Sequence, residues 1–269
     1  MLTYHRILRT LQSLGLRRET PLIAHTAFSA LGEVQGGVQT LLGALLTCVD
    51  NLMVPSSTCR TMVIPEFGPE DNAVTYGQSS EQNLNAEIFQ PDLPSDPPEN
   101  QLAEALRLYP DTTRSSHPIL SFVGLGMDAA IESQTAQQPY AHIAALMNKG
   151  AQVLLLGAGP QDNFSLHYAE YQVGRKQFLR WALTPNGVIE CPFFPGCPDG
   201  FQQVLPHLEG ELRQAEVDAN IWYAIGLDAL ISVATNLIKE DPFALLCSEL
   251  GCQRCNAVRK SIRGVVTDS

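Results

Sequence analysis

The chain has 269 residues, of which 45% are apolar and 17% charged, and its formal net charge is −11. These values describe a globular chain of one large α/β domain or two modest ones and exclude a disordered polyelectrolyte. The negative balance excludes a nucleic-acid backbone as partner, since that needs basic patches, and leaves two readings: an acidic field that draws cationic ligands, or plain solubility.

Residues 3–17 have the periodicity of an amphipathic helix, with Leu8, Leu11, Leu14 and Leu16 inward and Gly15 near its stop. This N-terminus lacks the apolar core and small-residue cleavage site of a secretory signal, so a cytoplasmic location is expected. No apolar run reaches membrane-spanning length, so no membrane partner is expected. Pro21–His25 reads as a buried strand, and a helix begins at or just after Gly36-Gly37. A strand, a glycine loop and a helix N-terminus can cradle an anion, because free N–H groups and the helix dipole converge there. The spacing fits neither a Walker A loop nor the dinucleotide fingerprint, so close helix–sheet packing is the competing reading.

Asn51–Pro55 and Arg60–Pro65 are short strand candidates. Residues 66–100 hold five prolines and eight carboxylates in a long irregular stretch, which reads as a substrate-facing loop or as plain surface. Glu99 or Asn100 is placed to cap a helix at Gln101–Leu108. Arg114, Ser115, Ser116 and His117 suit phosphate or carbonyl oxygens, or else the backbone of their own turn. A strand follows at Ile119–Leu125, then a helix from Gly126-Met127 to Ser133 and another at Ala141–Asn148.

Gln152–Glu170 is the most informative stretch. Val153–Leu156 is an unbroken apolar run of the kind a doubly covered sheet uses. Gly157 and Gly159 permit a sharp turn, Pro160–Asn163 forms a polar loop, and a helix runs from about Ser165 to Val173. His167 and Glu170, three apart, share a face of that helix. A carboxylate beside an imidazole at a strand's carboxyl edge suits general-base chemistry; the alternative is a satisfied structural histidine.

Lys176–Leu183 and Gly187–Phe193 read as a hairpin through Pro185-Asn186-Gly187. Gln202–Asp218 reads as helical, Tyr223–Ile225 as a strand, and Asp228 as the cap of a helix at Ala229–Lys239. The tail reads as a helix, a cysteine-rich turn and a basic helix. The alternation implies an α/β fold with a mixed central sheet flanked by helices, one domain over 1–269 with a small C-terminal helical/β excursion at 240–269.

Seven cysteines without a secretion signal do not suggest a disulfide framework. Cys247, Cys252 and Cys255 are spaced to supply three ligands to a structural zinc, the fourth coming from Cys191, Cys197 or His207; free thiols are the alternative. No Gly-x-Ser-x-Gly elbow is present, which disfavours Ser-His-Asp hydrolysis.

Three motifs in order carry a resemblance: His25-Thr26-Ala27-Phe28-Ser29-Ala30-Leu31-Gly32-Glu33-Val34-Gln35-Gly36-Gly37, then Arg114-Ser115-Ser116-His117-Pro118-Ile119-Leu120-Ser121-Phe122, then Val153 to Gly159 with Asn163 and Leu166-His167-Tyr168-Ala169-Glu170. Over about residues 1 to 190 the chain resembles the aminoglycoside N3-acetyltransferases, the antibiotic N-acetyltransferase family that is distinct from the GNAT fold. The resemblance implies acetyl transfer from acetyl-CoA to a primary amine, most simply the 3-amino group of an aminoglycoside. It places coenzyme A against His25, Thr26, Leu31, Gly32, Val34, Gly36 and Gly37, and against Arg114, Ser115, Ser116, His117, Pro118, Ser121 and Phe122. It makes His167 the general base with Glu170 as its orienting partner, and Ser121 or a backbone N–H a donor to the oxyanion. Glu66 and Tyr76 of the acidic region, with Asn163, are expected to face the cationic amine. The chain departs from the family pattern at Thr26-Ala27, where His-Ser-Ser is usual, and at Phe164, where threonine is common. Acetylation of a different amine, and a non-catalytic ligand-binding or zinc-stabilised interaction protein, are the other readings.

Overall fold

The structure is a computed structural model and describes residues 1–77, 83–96 and 101–267. β1 (Leu22–Thr26) is the middle strand of the main sheet, with β2 (Leu52–Pro55) and β6 (Gln152–Leu156) parallel to it on either side. β5 (Phe122–Leu125) pairs antiparallel with β2, and β4 (Thr113–Arg114) with β5. On the other side β10 (Asn220–Gly226) pairs antiparallel with β6, and β9 (Leu212–Val217) with β10. The seven-stranded order is therefore β4-β5-β2-β1-β6-β10-β9.

Successive residues of the central strands enter opposite cores. Leu22, Ala24, Leu154 and Leu156 join one buried cluster; Ile23, Val153 and Leu155 join the other. Both faces are thus covered, which explains why these strands read as continuous apolar runs. α1 (Tyr4–Ser13), α2 (Gly37–Cys48) and α3 (Gln101–Arg107) cover the first face with Ile7, Leu11, Leu41, Leu45 and Leu106. α4 (Asp128–Ser133), α5 (Ala141–Leu146), α6 (Leu166–Gln172) and α7 (Leu227–Glu240) cover the second with Ile131, Ile143, Leu166 and Leu230. From β1 the chain passes through α2 to β2 on one side, while β6 lies on the other. This is a topological switch point, and the crevice at the carboxyl ends of these strands is where such sheets bind ligands.

A smaller sheet pairs β3 (Met62–Val63) with β7 (Phe178–Thr184), and β7 with β8 (Gly187–Phe194). The expected hairpin is present, and Gly187 sits at φ +101°. The last helix, α8 (Gln253–Thr267), contributes Cys255, Ala257 and Val258 to a satellite cluster with Phe178, Cys197, Leu246 and Cys247.

Several sequence expectations are corrected. Residues 202–218 are not one helix: a 3-10 turn spans Phe201–His207, and β9 follows. Pro206 inside that turn lacks the N–H an α-helix would need, and the 212–217 segment is held by its ladder to β10. Asp228 does not cap α7; its Oδ1 accepts the Asn148 N–H at 2.8 Å. The strand expected from Ile119 begins at Phe122, because the amides of Ile119 and Leu120 both donate to His117 Nδ1 at 3.1 Å. The first helix stops at Ser13 rather than residue 17, and residues 242–245 form a turn instead of a helix. The cap expected at Glu99 or Asn100 lies outside the described residues.

Candidate active site

Asn163 Oδ1 accepts the Ser165 N–H at 3.1 Å, and this local turn launches α6. One turn in, His167 Nδ1 lies 2.7 Å from Glu170 Oε2. The other carboxylate oxygen, Oε1, accepts from Arg175 Nη1 at 3.0 Å. Arg175 Nη2 in turn donates to the carbonyls of Pro242 and Ala244, each at 2.8 Å. His167, Glu170 and Arg175 are 5%, 1% and 8% exposed, so water is nearly excluded from the whole relay. A buried carboxylate would be costly alone; here the guanidinium compensates its charge. With Nδ1–H given to Glu170, Nε2 is the ring nitrogen left to take a proton. The rings of Phe201, 4.7 Å away, and Phe164, 5.9 Å away, hold the imidazole from the sides.

His167 lines a cavity of about 240 Å³ at the carboxyl ends of β1 and β2. Ala24, His25 and Thr26 form one wall, Val54, Pro55 and Ser57 another, and Leu102 and Ala103 of α3 a third. Gln161, Asp162 and Phe164 close it beside His167. A site that encloses a drug-sized ligand is usually about 300–1,000 Å³. This space therefore suits the reacting ends of two molecules whose remaining parts extend outside. Both ring nitrogens of His25 and the Thr26 hydroxyl are buried without a hydrogen-bond partner among the described residues. Unspent polar atoms in a cavity wall are what a polar cosubstrate would satisfy, so this wall fits a ligand with donors and acceptors of its own.

The other expected residues fall into three places. Leu31, Gly32, Val34, Gly36 and Gly37 follow β1 but do not line this cavity. Gly36 is left-handed at φ +79° and starts α2 with no side-chain cap, while the Gly37 N–H donates to the Val34 carbonyl at 2.9 Å. Leu31 packs on the turn after β6, where a Cβ on Gly157 would come within 2.8 Å of its side chain.

Most polar groups of the Arg114–Phe122 segment are spent inside the protein, while His117 Nε2 is buried without a hydrogen-bond partner among the described residues. Arg114 donates to the carbonyls of Pro91, Leu93 and Ser56 and, through Nε, to Ser121 Oγ at 3.1 Å. Burial lowers its pKa to about 10, which still leaves it charged at neutral pH. Ser115 Oγ donates to Gln134 Oε1 at 2.6 Å and accepts the Phe122 N–H at 2.9 Å. Ser116 Oγ donates to Gln134 O at 3.4 Å, and the Pro118 carbonyl accepts from Thr58 and Thr61. Ser121 Oγ donates to Ser56 O at 2.7 Å and is fully buried, so it is no donor to an oxyanion in this cavity. The segment instead braces the 55–61 loop that carries Pro55 and Ser57 to the cavity.

Glu66 is exposed, and Tyr76 bonds within its own loop, to Asn72 Nδ2 at 2.7 Å and Pro69 O at 3.2 Å. Tyr76 lines a different cavity, between its loop and α8. Asp71, Glu87 and Asp96 of the acidic stretch are paired with Lys260 or Arg60. The carboxylate that does line the His167 cavity, Asp162, was not singled out from the sequence, nor was Arg175; the glycine turn before Asp162 was the one available signal.

Three further histidines, His25, His117 and His142, are buried, and loss of hydration lowers each pKa from 6.5 to about 3. All three are neutral at physiological pH, and of them His25 lines the cavity without adding charge to it.

A doubly covered mixed sheet with a carboxylate-held histidine beside its switch point defines the class: α/β proteins with a ligand crevice at the carboxyl ends of the central strands. A profile of the aminoglycoside 3-N-acetyltransferases matches residues 23–237, and the chain belongs to that family. Aminoglycoside N(3)-acetyltransferase IX of Micromonospora chalcea is 37% identical over 195 residues, 66% of this chain and 66% of its own length. Aminoglycoside N(3)-acetyltransferase VII of Streptomyces paromomycinus is 35% identical over 176 residues, 62% of this chain and 60% of its own length. The chain thus aligns with just under two thirds of the length of these curated relatives. Among solved structures, the apoenzyme of the aminoglycoside acetyltransferase AAC(3)-IVa superposes with a TM-score of 0.76 at 21% identity, over 97% of this chain and 98% of that one. AAC-IIIb in binary complex with CoASH superposes at 0.70 with 23% identity, over 88% and 96%. At these identities the superpositions establish the shared fold. No helix among the described residues is long and apolar enough to cross a membrane.

Proposed function

We propose that this chain transfers the acetyl group of acetyl-CoA to a primary amine, the 3-amino group of an aminoglycoside, with His167 as general base. The observation that carries the reading is the His167–Glu170 contact at 2.7 Å in the wall of the switch-point cavity. Family membership supports the reaction class, and relatives bound to CoASH and to sisomicin support the two ligands.

Acetyl-CoA supplies an activated acyl group as a thioester. An ammonium has no lone pair to attack it, so the amine must first lose a proton, and His167 Nε2 takes it. Glu170 keeps the proton of His167 on Nδ1 and stabilises the imidazolium that forms. Arg175 holds Glu170 in orientation through its hydrogen bond to Oε1. A backbone N–H at the cavity is left to stabilise the oxyanion, since the Ser121 hydroxyl is spent on Ser56 O. Coenzyme A lies along Thr26 and the 55–57 loop, its charged end toward the N-terminus of α2. Asp162 faces the cationic acceptor. The described chain works as one catalytic unit, in the cytoplasm, where this acyl donor is available.

A second reading keeps the chemistry and changes the acceptor. Phe164, where the resemblance leads one to expect threonine, occupies the cavity wall and narrows the approach to His167. Acetyl-CoA turnover, read as thiol release with a panel of gentamicin-like, sisomicin-like and simple amines, tests both. Release with the aminoglycosides supports the first reading, and release with other amines alone supports the second. No release with any amine, while coenzyme A still binds, removes both.

A further inference from the structure

Four of the seven cysteines, Cys197, Cys247, Cys252 and Cys255, bring their Sγ atoms within 4.8 Å of one another. We infer that they bind one zinc ion as a closed four-thiolate site, and that this ion clamps the two backbone segments holding Glu170 and Arg175 behind His167. The fourth ligand, open in the sequence among three candidates, is Cys197.

The geometry fits the ion. Tetrahedral zinc with Zn–S bonds of about 2.3 Å sets its sulfurs about 3.8 Å apart, so a small contraction closes the site. The thiols come from three separate segments: the loop after β8, the turn after α7, and the start of α8. Three are buried and Cys252 is half-buried, which suits a structural site sealed from water. Cys252 and Cys255 flank the first turn of α8, and the Cys255 N–H donates to Cys252 Sγ at 3.5 Å. That N–H···S bond and the positive end of the helix dipole both favour thiolates.

The surroundings offset the charge as well. A zinc with four thiolates carries two net negative charges. Arg254 Nη1 is fixed on the Gly196 carbonyl at 2.9 Å, and Arg259 donates to the Cys247 carbonyl. Two guanidiniums therefore stand at the cluster in a chain whose net charge is −11. Asp199, which accepts from the Cys197 thiol at 3.2 Å, is exposed and turns to solvent once that thiol gives up its proton. The competing account, a small apolar cluster of free thiols with Phe178 and Leu246, leaves the convergence of four sulfurs from three segments unexplained.

The same segments support the base. A Cβ added to Gly196, the residue before Cys197, would stand 3.7 Å from Glu170 Oε2. The carbonyls of Pro242 and Ala244, a few residues before Cys247, hold Arg175. The ion joins these two supports, so the four cysteines are positioning residues. The metal claim stands independently of the proposed reaction; the positioning claim rests on His167 being the base.

The experiment is metal analysis and thiol titration of the full chain, purified without chelator, together with kinetics of its variants. One zinc per chain is expected, with all seven thiols reactive in denaturant plus chelator. Cobalt replacement should give the absorption of a tetrahedral sulfur site. Cys252→Ser should lose most of the zinc and, well below its melting temperature, at least about tenfold in kcat with little change in KM for acetyl-CoA. Cys252→His, which keeps a ligand, should recover both, and Cys59→Ser, outside the cluster, should keep its zinc. Less than about a tenth of an equivalent of zinc after reconstitution under reducing conditions overturns the metal claim, as does a titre of three thiols, the mark of two disulfides. Loss of zinc with unchanged kcat overturns the positioning claim. If no amine is acetylated at all, metal content and cobalt spectrum still decide the site on their own.

Discussion

Arg175 Nη1 lies 3.0 Å from Glu170 Oε1, on the oxygen opposite the one that holds His167. His167 is therefore the outer end of a three-residue relay, and under the proposed reaction each member has a different signature when removed. Glu170→Gln keeps the shape of the contact but removes the charge that stabilises an imidazolium. It should lower kcat by about 10²–10⁴-fold, the usual worth of a positioned general base, with KM for acetyl-CoA nearly unchanged. His167→Ala should lose a similar factor while coenzyme A binding, read by titration calorimetry, persists. Glu170→Ala goes further and strands the Arg175 charge in the interior, at a cost of about 3–5 kcal/mol in urea unfolding. A Glu170→Gln protein with wild-type turnover would remove the relay from the mechanism.

The buried histidines set an acid limit on the fold. In the unfolded chain each imidazole titrates near its ordinary value of about 6.5. In the folded chain His25, His117 and His142 remain neutral down to about 3. Between those limits the unfolded state binds more protons, so stability is complete above about pH 6.5 and falls as pH drops, by up to about 1.4 kcal/mol per unit for each histidine. Urea midpoints between pH 8 and 4.5 should stay level and then decline, and His142→Leu should flatten the decline by one proton. A decline of the same steepness in that variant would show that His142 is not one of the groups responsible.

Asp162 is the exposed carboxylate in the wall of the His167 cavity, with its Oδ2 accepting the Gly159 N–H at 2.8 Å. Asp162→Asn should raise KM for a polycationic acceptor about tenfold while leaving KM for acetyl-CoA unchanged, and should weaken the salt dependence of kcat/KM. Equal effects on both cosubstrates would point instead to a shift of the 160–163 turn.

Phe164 packs edge-on to Phe122 at 5.4 Å and stands beside His167, so it narrows the acceptor side. Phe164→Thr should raise kcat/KM for bulky aminoglycosides relative to small amines by about ten- to a hundredfold, the range that pocket shape alone supplies. An unchanged ratio across the amine panel would free Phe164 of any role in selection.

What the sequence disclosed was what is local. The β6 run, its glycine turn and the His167–Glu170 spacing lie within one stretch, and the structure keeps all three. Arg175 was missed because its meaning depends on carbonyls at 242 and 244, far along the chain. The carbonyls that accept from Arg114, at residues 56, 91 and 93, could not be foreseen from the 114–122 segment, since they come to it only when the fold is closed. Residues 212–217 read as helical because their polar side chains are good helix formers; pairing with β10 overrode that preference. The seven-stranded order could not be read at all, since it depends on which strands return to β1 from opposite sides.

Every residue lining the His167 cavity is contributed before position 168. A shortened chain ending before Pro242 would therefore keep its entire pocket and still lose the carbonyls on which Arg175 rests. Such a fragment would look intact by any inventory of its cavity and would be a poor catalyst.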